Sequence, residues 1–141
     1  MNAEFSAVCT YLRYVITEAE AEDSTPLNKL LDFDANLFHK DVDFLSATQR
    51  AQENGVAHFV VPGSTLMDSL QAIEAAEKES CIVAATAGVH PYNTESTPLN
   101  EENLQLLRTL ISSPHCGAVG ECGLDFSDGF PSSSFQVDWF R

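Results

Sequence analysis

The sequence predicts a parallel α/β fold of about four strand–helix units, and two observations predict it. Short apolar runs alternate with helix-patterned segments from Leu30 onward, at the intervals of about 25 to 35 residues that strand–helix–strand units require. One run, Cys81 to Ala87, is apolar without interruption, the pattern of a strand covered on both faces. Consecutive parallel strands then need helical crossovers of right-handed sense.

The elements follow in order. In the first 28 residues Phe5, Val8, Leu12, Val15 and Ile16 recur at helical spacing, and the acidic stretch Glu18 to Asp23 runs into Ser24-Thr25-Pro26. This predicts a helix and a linker, an extension ahead of a domain spanning residues 29–141. Leu30-Leu31-Asp32-Phe33 is the first short strand. Asp41 to Asn54 reads as a helix with Val42, Leu45, Thr48 and Ala51 inward, closed by Gly55. Val56 to Val61 is a β-branched run broken by Pro62-Gly63. Thr65 to Glu79 is helical, with Leu66, Leu70, Ile73 and Ala76 on one face. After the third strand and a polar loop, Asn100 is placed to cap a helix carrying Leu104, Leu107, Leu110 and Ile111. Cys116 to Gly120 is the fourth strand, and Phe130-Pro131-Ser132 enters a last helix. Two architectures share this order. One is an open doubly wound sheet; the other is half of a barrel that normally needs about 250 residues.

Charge narrows the function. Seven Lys and Arg face 21 Asp and Glu, a formal charge of −14. A basic face for a polyanion is therefore excluded, because each phosphate contact usually needs a cationic partner. The acidity suits a soluble cytoplasmic protein, or a nuclear one in a eukaryote. No apolar run approaches the ~20 residues of a membrane helix, and no targeting peptide is expected at the acidic N-terminus. Cys9, Cys81, Cys116 and Cys122 form no C-x-x-C pair, so reduced thiols are expected rather than a zinc cluster.

Each predicted strand runs directly into a small polar cluster: Asp32-Phe33-Asp34-Ala35-Asn36, Pro62-Gly63-Ser64-Thr65, Gly88-Val89-His90-Pro91 and Gly120-Glu121-Cys122-Gly123-Leu124-Asp125. In a parallel α/β protein these positions converge at one end of the sheet, where substrates bind. Glu121, between two glycines, is placed to bridge divalent ions or to cap a loop amide. His90 could touch a phosphate oxygen, assist proton transfer, or serve structure alone. Asp32, Asp34 and Asn36 alternate, so in an extended segment they share one side, either around a cation or in a solvated turn. Ser64 and Thr65 open a helix, as phosphate contacts or as ordinary N-caps. A flavodoxin-like phosphate loop is excluded after the first strand, where the segment is too acidic. His39, His58 and His115 are expected to be structural or surface residues.

These clusters resemble the TatD-related DNase family of metal-dependent hydrolases. Ala118-Val119-Gly120-Glu121-Cys122-Gly123-Leu124-Asp125-Phe126 carries most of the resemblance. Thr86-Ala87-Gly88-Val89-His90-Pro91, Asp32-Phe33-Asp34-Ala35-Asn36-Leu37 and Val61-Pro62-Gly63-Ser64 complete it in the family's order. The resemblance implies a (β/α)8 TIM barrel, of which this chain supplies about four β/α units behind an N-terminal helical extension. It implies a divalent metal, Mg2+ first with Mn2+ or Zn2+ as alternatives, and hydrolysis of phosphodiester bonds in DNA. By position, Glu121 and Asp32 correspond to metal ligands, while His90, Asp34 and Asn36 carry catalytic roles. Ser64 and Asp125 correspond to substrate contacts. Asp34 and Asn36 stand where related hydrolases have the two histidines of an Asp-x-His-x-His motif, which suits hard, oxygen-preferring ions. The family's later ligands, two histidines and a catalytic aspartate, have no counterpart before Arg141. The resemblance thus implies a truncated enzyme with feeble activity at most, and self-association through open barrel edges. The alternative is a non-catalytic α/β fragment or binding module.

Overall fold

The computed structural model describes residues 30–141, so the helix expected over Phe5 to Ile16, and Cys9 with it, lie outside the described residues. Within them four strands, β1 (Leu30–Asp32), β2 (Val56–Val61), β3 (Ile82–Ala87) and β4 (Cys116–Val119), form one sheet in the order β1-β2-β3-β4. All three pairings are parallel, with Asp32 opposite Phe59, Val61 opposite Ala85 and Ala87 opposite Val119. The helices are α1 (Phe44–Glu53), α2 (Leu66–Lys78), α3 (Glu101–Ile111) and α4 (Ser133–Phe140). A single 3₁₀ turn, Pro91–Asn93, follows β3.

The helix ends are built from local chemistry. Thr65 caps α2 by accepting the Asp68 amide at 3.0 Å, and Asn100 caps α3 by accepting the Asn103 amide at 2.9 Å. Gly55, at φ 88°, takes the left-handed conformation that stops α1 and turns the chain into β2. The core lies between sheet and helices. Phe59, Val61, Ala85 and Ala87 pack against Leu66, Ala72, Ile73 and Leu110 in one buried cluster. Central strands β2 and β3 are largely buried, whereas the edge strands leave Leu30 and Val119 open.

One predicted face was misassigned. Val42 and Leu45 were expected inward, but both are exposed, Leu45 to 73%. Thr48 and Ala51 face inward as expected, and Phe44 joins them on the buried side of α1. Phe44 stacks on Phe38 with ring centroids 5.6 Å apart. The Thr48 hydroxyl donates to the Phe44 carbonyl at 2.8 Å, so a polar side chain is buried at little cost. The expected face therefore differs at Val42 and Leu45 alone, where the aromatic contact of Phe44 with the preceding loop takes the inward place.

This packing sets a contrast. Phe59 is 2% exposed at the centre of the core, and Phe59→Ala should cost about 3–5 kcal/mol in a urea melt. Leu45→Ala should change stability by no more than about 0.5 kcal/mol. Comparable losses for the two would place the inward face of α1 where the alternation of aliphatic residues first suggested it.

Candidate active site at the carboxyl ends of the strands

The loops that follow β2, β3 and β4 are tied to one another by their own backbones. The Glu121 amide donates to the Gly63 carbonyl at 2.8 Å, and the His90 amide to the Ser64 carbonyl at 2.9 Å. The Asn93 side chain donates to the same Ser64 carbonyl at 2.9 Å. Gly120 reaches the Ala87 carbonyl at 2.9 Å, and Ala35 reaches the Val60 carbonyl at 3.1 Å. Two glycines make such close approach possible. A Cβ on Gly88 would strike the Glu121 carbonyl and come within 2.7 Å of the Gly120 carbonyl carbon. One on Gly63 would strike the Ser69 side chain and come within 2.7 Å of the Thr86 carbonyl. Ser69, fully buried, donates to the Thr65 carbonyl at 2.6 Å and accepts the Gly88 amide at 3.2 Å.

Two depressions open at this end of the sheet, and Glu121 lines both. One, of about 490 Å³, is lined by His90, Pro91 and the segment Val119 to Asp125. The other, of about 320 Å³, is lined by Asn36, Phe38, His39, Lys40, Val61, Pro62, Ser64 and Asp68 as well as Glu121. The Glu121 side chain is half-buried and makes no hydrogen bond or ion pair among the described residues, so its carboxylate is open to a ligand. His90 is oriented by its own turn: its Nδ1 accepts the Tyr92 amide at 3.1 Å. With Nδ1 accepting, the neutral ring carries its proton on Nε2 and can offer it as a hydrogen-bond donor.

The expected site residues divide accordingly. Glu121, His90 and Asp125 share one depression; Glu121, Asn36 and Ser64 share the other. Asp32 and Asp34 line neither. The chain leaves the strand at Asp32 and bends, so the extended segment on which Asp32, Asp34 and Asn36 would share a side is not formed. The Asp32 carboxylate instead accepts the Asp34 amide at 3.0 Å, a solvated turn of its own. The N-terminus of α2, considered for a phosphate, is closed by Thr65 and by the Ser64 hydroxyl donating to Asp68. Among the described residues no group of three His, Cys, Asp or Glu gathers closely enough to hold a metal ion. Glu121 is thus a single available ligand, and the described residues alone do not fit a complete metal site.

Three residues escaped the sequence reading. Lys40 borders Glu121 and forms no ion pair among the described residues, although it is one of seven cations in the chain and that scarcity was the available signal. Gln136 on α4 is fully buried. It accepts the Asp125 amide at 2.7 Å and donates to the carbonyls of Asp125 and Pro131, each at 2.7 Å. It clamps the loop that carries Glu121 and Asp125, and no local pattern marks a helical glutamine for that role. The third is Tyr92, whose amide orients His90.

The Asp125 carboxyl is held below its usual range. The Ser127 hydroxyl and amide both donate to it, and nearby His90 adds a smaller electrostatic contribution. Burial pushes the Cys81 and Cys116 thiols upward, away from reactivity.

A parallel sheet with a polar mouth at the carboxyl ends of its strands is the architecture of part of a (β/α)8 barrel. The chain matches the TatD related DNase family over residues 31–141. It is 35% identical over 116 residues to the 3'-5' ssDNA/RNA exonuclease TatD of Erwinia amylovora and 37% identical over 116 residues to that of Edwardsiella piscicida. Each match covers 79% of this chain and 43% of the relative. Among solved structures, a TatD homologue from Escherichia coli superposes with a TM-score of 0.67 at 22% identity. A TatD family hydrolase from Entamoeba histolytica does so with a TM-score of 0.65 at 26% identity. Both cover 80% of this chain and 44% of the other. The chain belongs to the TatD related DNase family, and it spans less than half the length of these relatives.

The Ser127 contact can be checked directly. Ser127→Ala removes a hydrogen bond to the ionised Asp125, so the carboxyl should take its proton at a higher pH than in the unaltered chain. A carbon-detected NMR titration reads this midpoint. If it does not move, the hydroxyl is not what holds the group ionised.

Proposed function

We propose that this chain carries the first half of the active site of a metal-dependent nuclease that hydrolyses phosphodiester bonds in DNA. The observation that supports the reading is the unpartnered Glu121 carboxylate, which lies between a depression bearing His90 and one bearing Asn36, Lys40 and Ser64. The relatives named as ssDNA/RNA exonucleases make unpaired strands the substrate to test first.

In this reading each side chain acts on the phosphodiester through chemistry it already presents. The His90 Nε2–H donates to a phosphate oxygen, because Nδ1 is engaged by the Tyr92 amide. Lys40 offers a point charge, and the Asn36 amide a neutral donor, from the other side of Glu121. Asp125, held ionised chiefly by Ser127, lines the same depression as His90 and accepts from a sugar hydroxyl. Asp32 accepts the Asp34 amide through Oδ1, whereas the Glu121 carboxylate makes no hydrogen bond among the described residues, so Glu121 is the first ligand in this reading. A divalent ion, Mg2+ first and Mn2+ or Zn2+ as alternatives, would neutralise charge on the phosphodiester when bound. Its other ligands, and the base that takes a proton from the attacking water, are not found among the described residues. Nuclease activity of this chain by itself is accordingly expected to be feeble at most.

The second reading is a non-catalytic α/β fragment or binding module. The lack of a three-ligand group among the described residues favours it. Calorimetric titration of the 141-residue chain with Mn2+ separates the two. The nuclease reading predicts measurable binding that Glu121→Gln weakens at least tenfold. Undetectable binding by the unaltered chain would favour the non-catalytic module. Strong Mg2+-dependent nuclease activity abolished by Glu121→Ala would instead show that this half is sufficient.

A further inference from the structure

We propose that Tyr92, braced by Phe130, is a stacking subsite for one nucleobase of an unpaired strand whose phosphate lies at His90. The inference rests on the nuclease reading and adds to it a contact on the base itself. Tyr92 is 62% exposed, a large aromatic ring outside the core. It is nevertheless well held. Its amide donates to His90 Nδ1, and it sits in the 3₁₀ turn Pro91–Asn93, whose Pro91 is buried. That turn is closed by Thr94, itself 2% exposed, whose hydroxyl donates to the Pro91 carbonyl at 2.9 Å.

Phe130 supports the ring from the neighbouring loop. Its centroid lies 5.8 Å from that of Tyr92 at an interplanar angle of 86°, and 6.2 Å from that of His90 at 43°. The edge-to-face contact braces Tyr92 while leaving most of it open to solvent. Phe130 is anchored in turn, since the Pro131 carbonyl next to it accepts from the buried Gln136. Three rings therefore form one cluster, and one of them, His90, also lines the depression that holds Glu121.

Charge decides what such a cluster can bind. With 21 acidic against seven basic residues, and with Glu121 and Asp125 in the depression that His90 lines, the chain cannot hold a strand by electrostatic attraction. Stacking does not depend on charge, and every base has a π-face, so it is the contact this rim offers to a polyanion. A held ring loses little freedom on binding, which adds to its effect. Bases within a duplex are already stacked on each other, so the subsite selects unpaired ends. A phosphate rather than a peptide aromatic is favoured because the Nδ1 of His90 accepts the Tyr92 amide, which leaves Nε2–H as a donor next to the rings.

The test uses the full chain and a short single-stranded DNA carrying 2-aminopurine, whose fluorescence falls when the base stacks. Quenching on binding is expected. Tyr92→Ala should weaken binding roughly tenfold and abolish the quenching, while Tyr92→Phe should retain both. Phe130→Ala should give a smaller loss, and an abasic site in place of 2-aminopurine should weaken binding by the unaltered chain as much as Tyr92→Ala does. Circular dichroism confirms that each variant is folded. Equal binding and quenching by the unaltered chain and Tyr92→Ala would overturn the subsite and leave the nuclease reading standing. If no oligonucleotide binds the unaltered chain at millimolar concentration, the subsite and the DNA substrate fail together.

Discussion

Every feature of the candidate site depends on how closely three loops approach one another at the carboxyl ends of the strands. The carbonyls of Gly63 and Ser64 accept the amides of Glu121 and His90, so the loop after β2 serves as the common anchor for those after β3 and β4. Backbone groups at a sheet end must find partners somewhere. Here they find them in one another, and the side chains of Glu121 and His90 are delivered to a shared depression as a consequence. Gly88 is the tightest point, because a side chain there would collide with the peptide that carries Glu121. The outer end of the same loop is held by Gln136, which satisfies both backbone groups of Asp125 from α4. A carboxylate without a partner costs free energy if it is buried. Glu121 escapes most of that cost by remaining half open between two depressions, which also keeps it available.

Much of this could be read from the amino-acid order, and the reason is physical. A β-branched run identified β2 and helical periodicity identified α2 almost to their ends, with Thr65 and Asn100 as caps and Gly55 as a stop, because those features are encoded within a few residues. The convergence of four polar clusters was also legible, since parallel strands necessarily place their carboxyl ends together. What was not legible depends on how the loops bend and pack, which a residue pattern does not record. The inward face of α1 is set by Phe44 stacking on Phe38, and a hydrophobic pattern cannot distinguish that from an inward Leu45. The period-two reading of Asp32, Asp34 and Asn36 failed because the strand ends at Asp32 and the aspartate stabilises its own turn. Gln136 looks like a surface residue until the loop it clamps is seen. Lys40 acquires meaning only from its position beside Glu121.

The mouth is chemically unlike a basic nucleic-acid-binding surface. The mouth offers the open carboxylate of Glu121, the imidazoles of His90 and His39, the ammonium of Lys40 and a ring cluster that includes His90. Attraction at a distance is weak at a net charge of −14, so recognition has to be made by contact. The chain spans 43% of the curated relatives it matches. Correspondingly, the edge strands leave Leu30 and Val119 exposed, and no three-ligand group forms among the described residues. Incomplete coverage and an incomplete ligand set are two expressions of the same partial barrel.

Amide hydrogen exchange at single-residue resolution tests the laced loops most directly. The amides of His90 and Glu121 lie in loops, where exchange is ordinarily fast, yet each donates to a carbonyl of the neighbouring loop. Both should be protected, with opening free energies close to that of β3 and close to each other. Free-peptide exchange at either amide, in a folded chain whose β3 remains protected, would mean that the loops move independently and that Glu121 and His90 do not share a site.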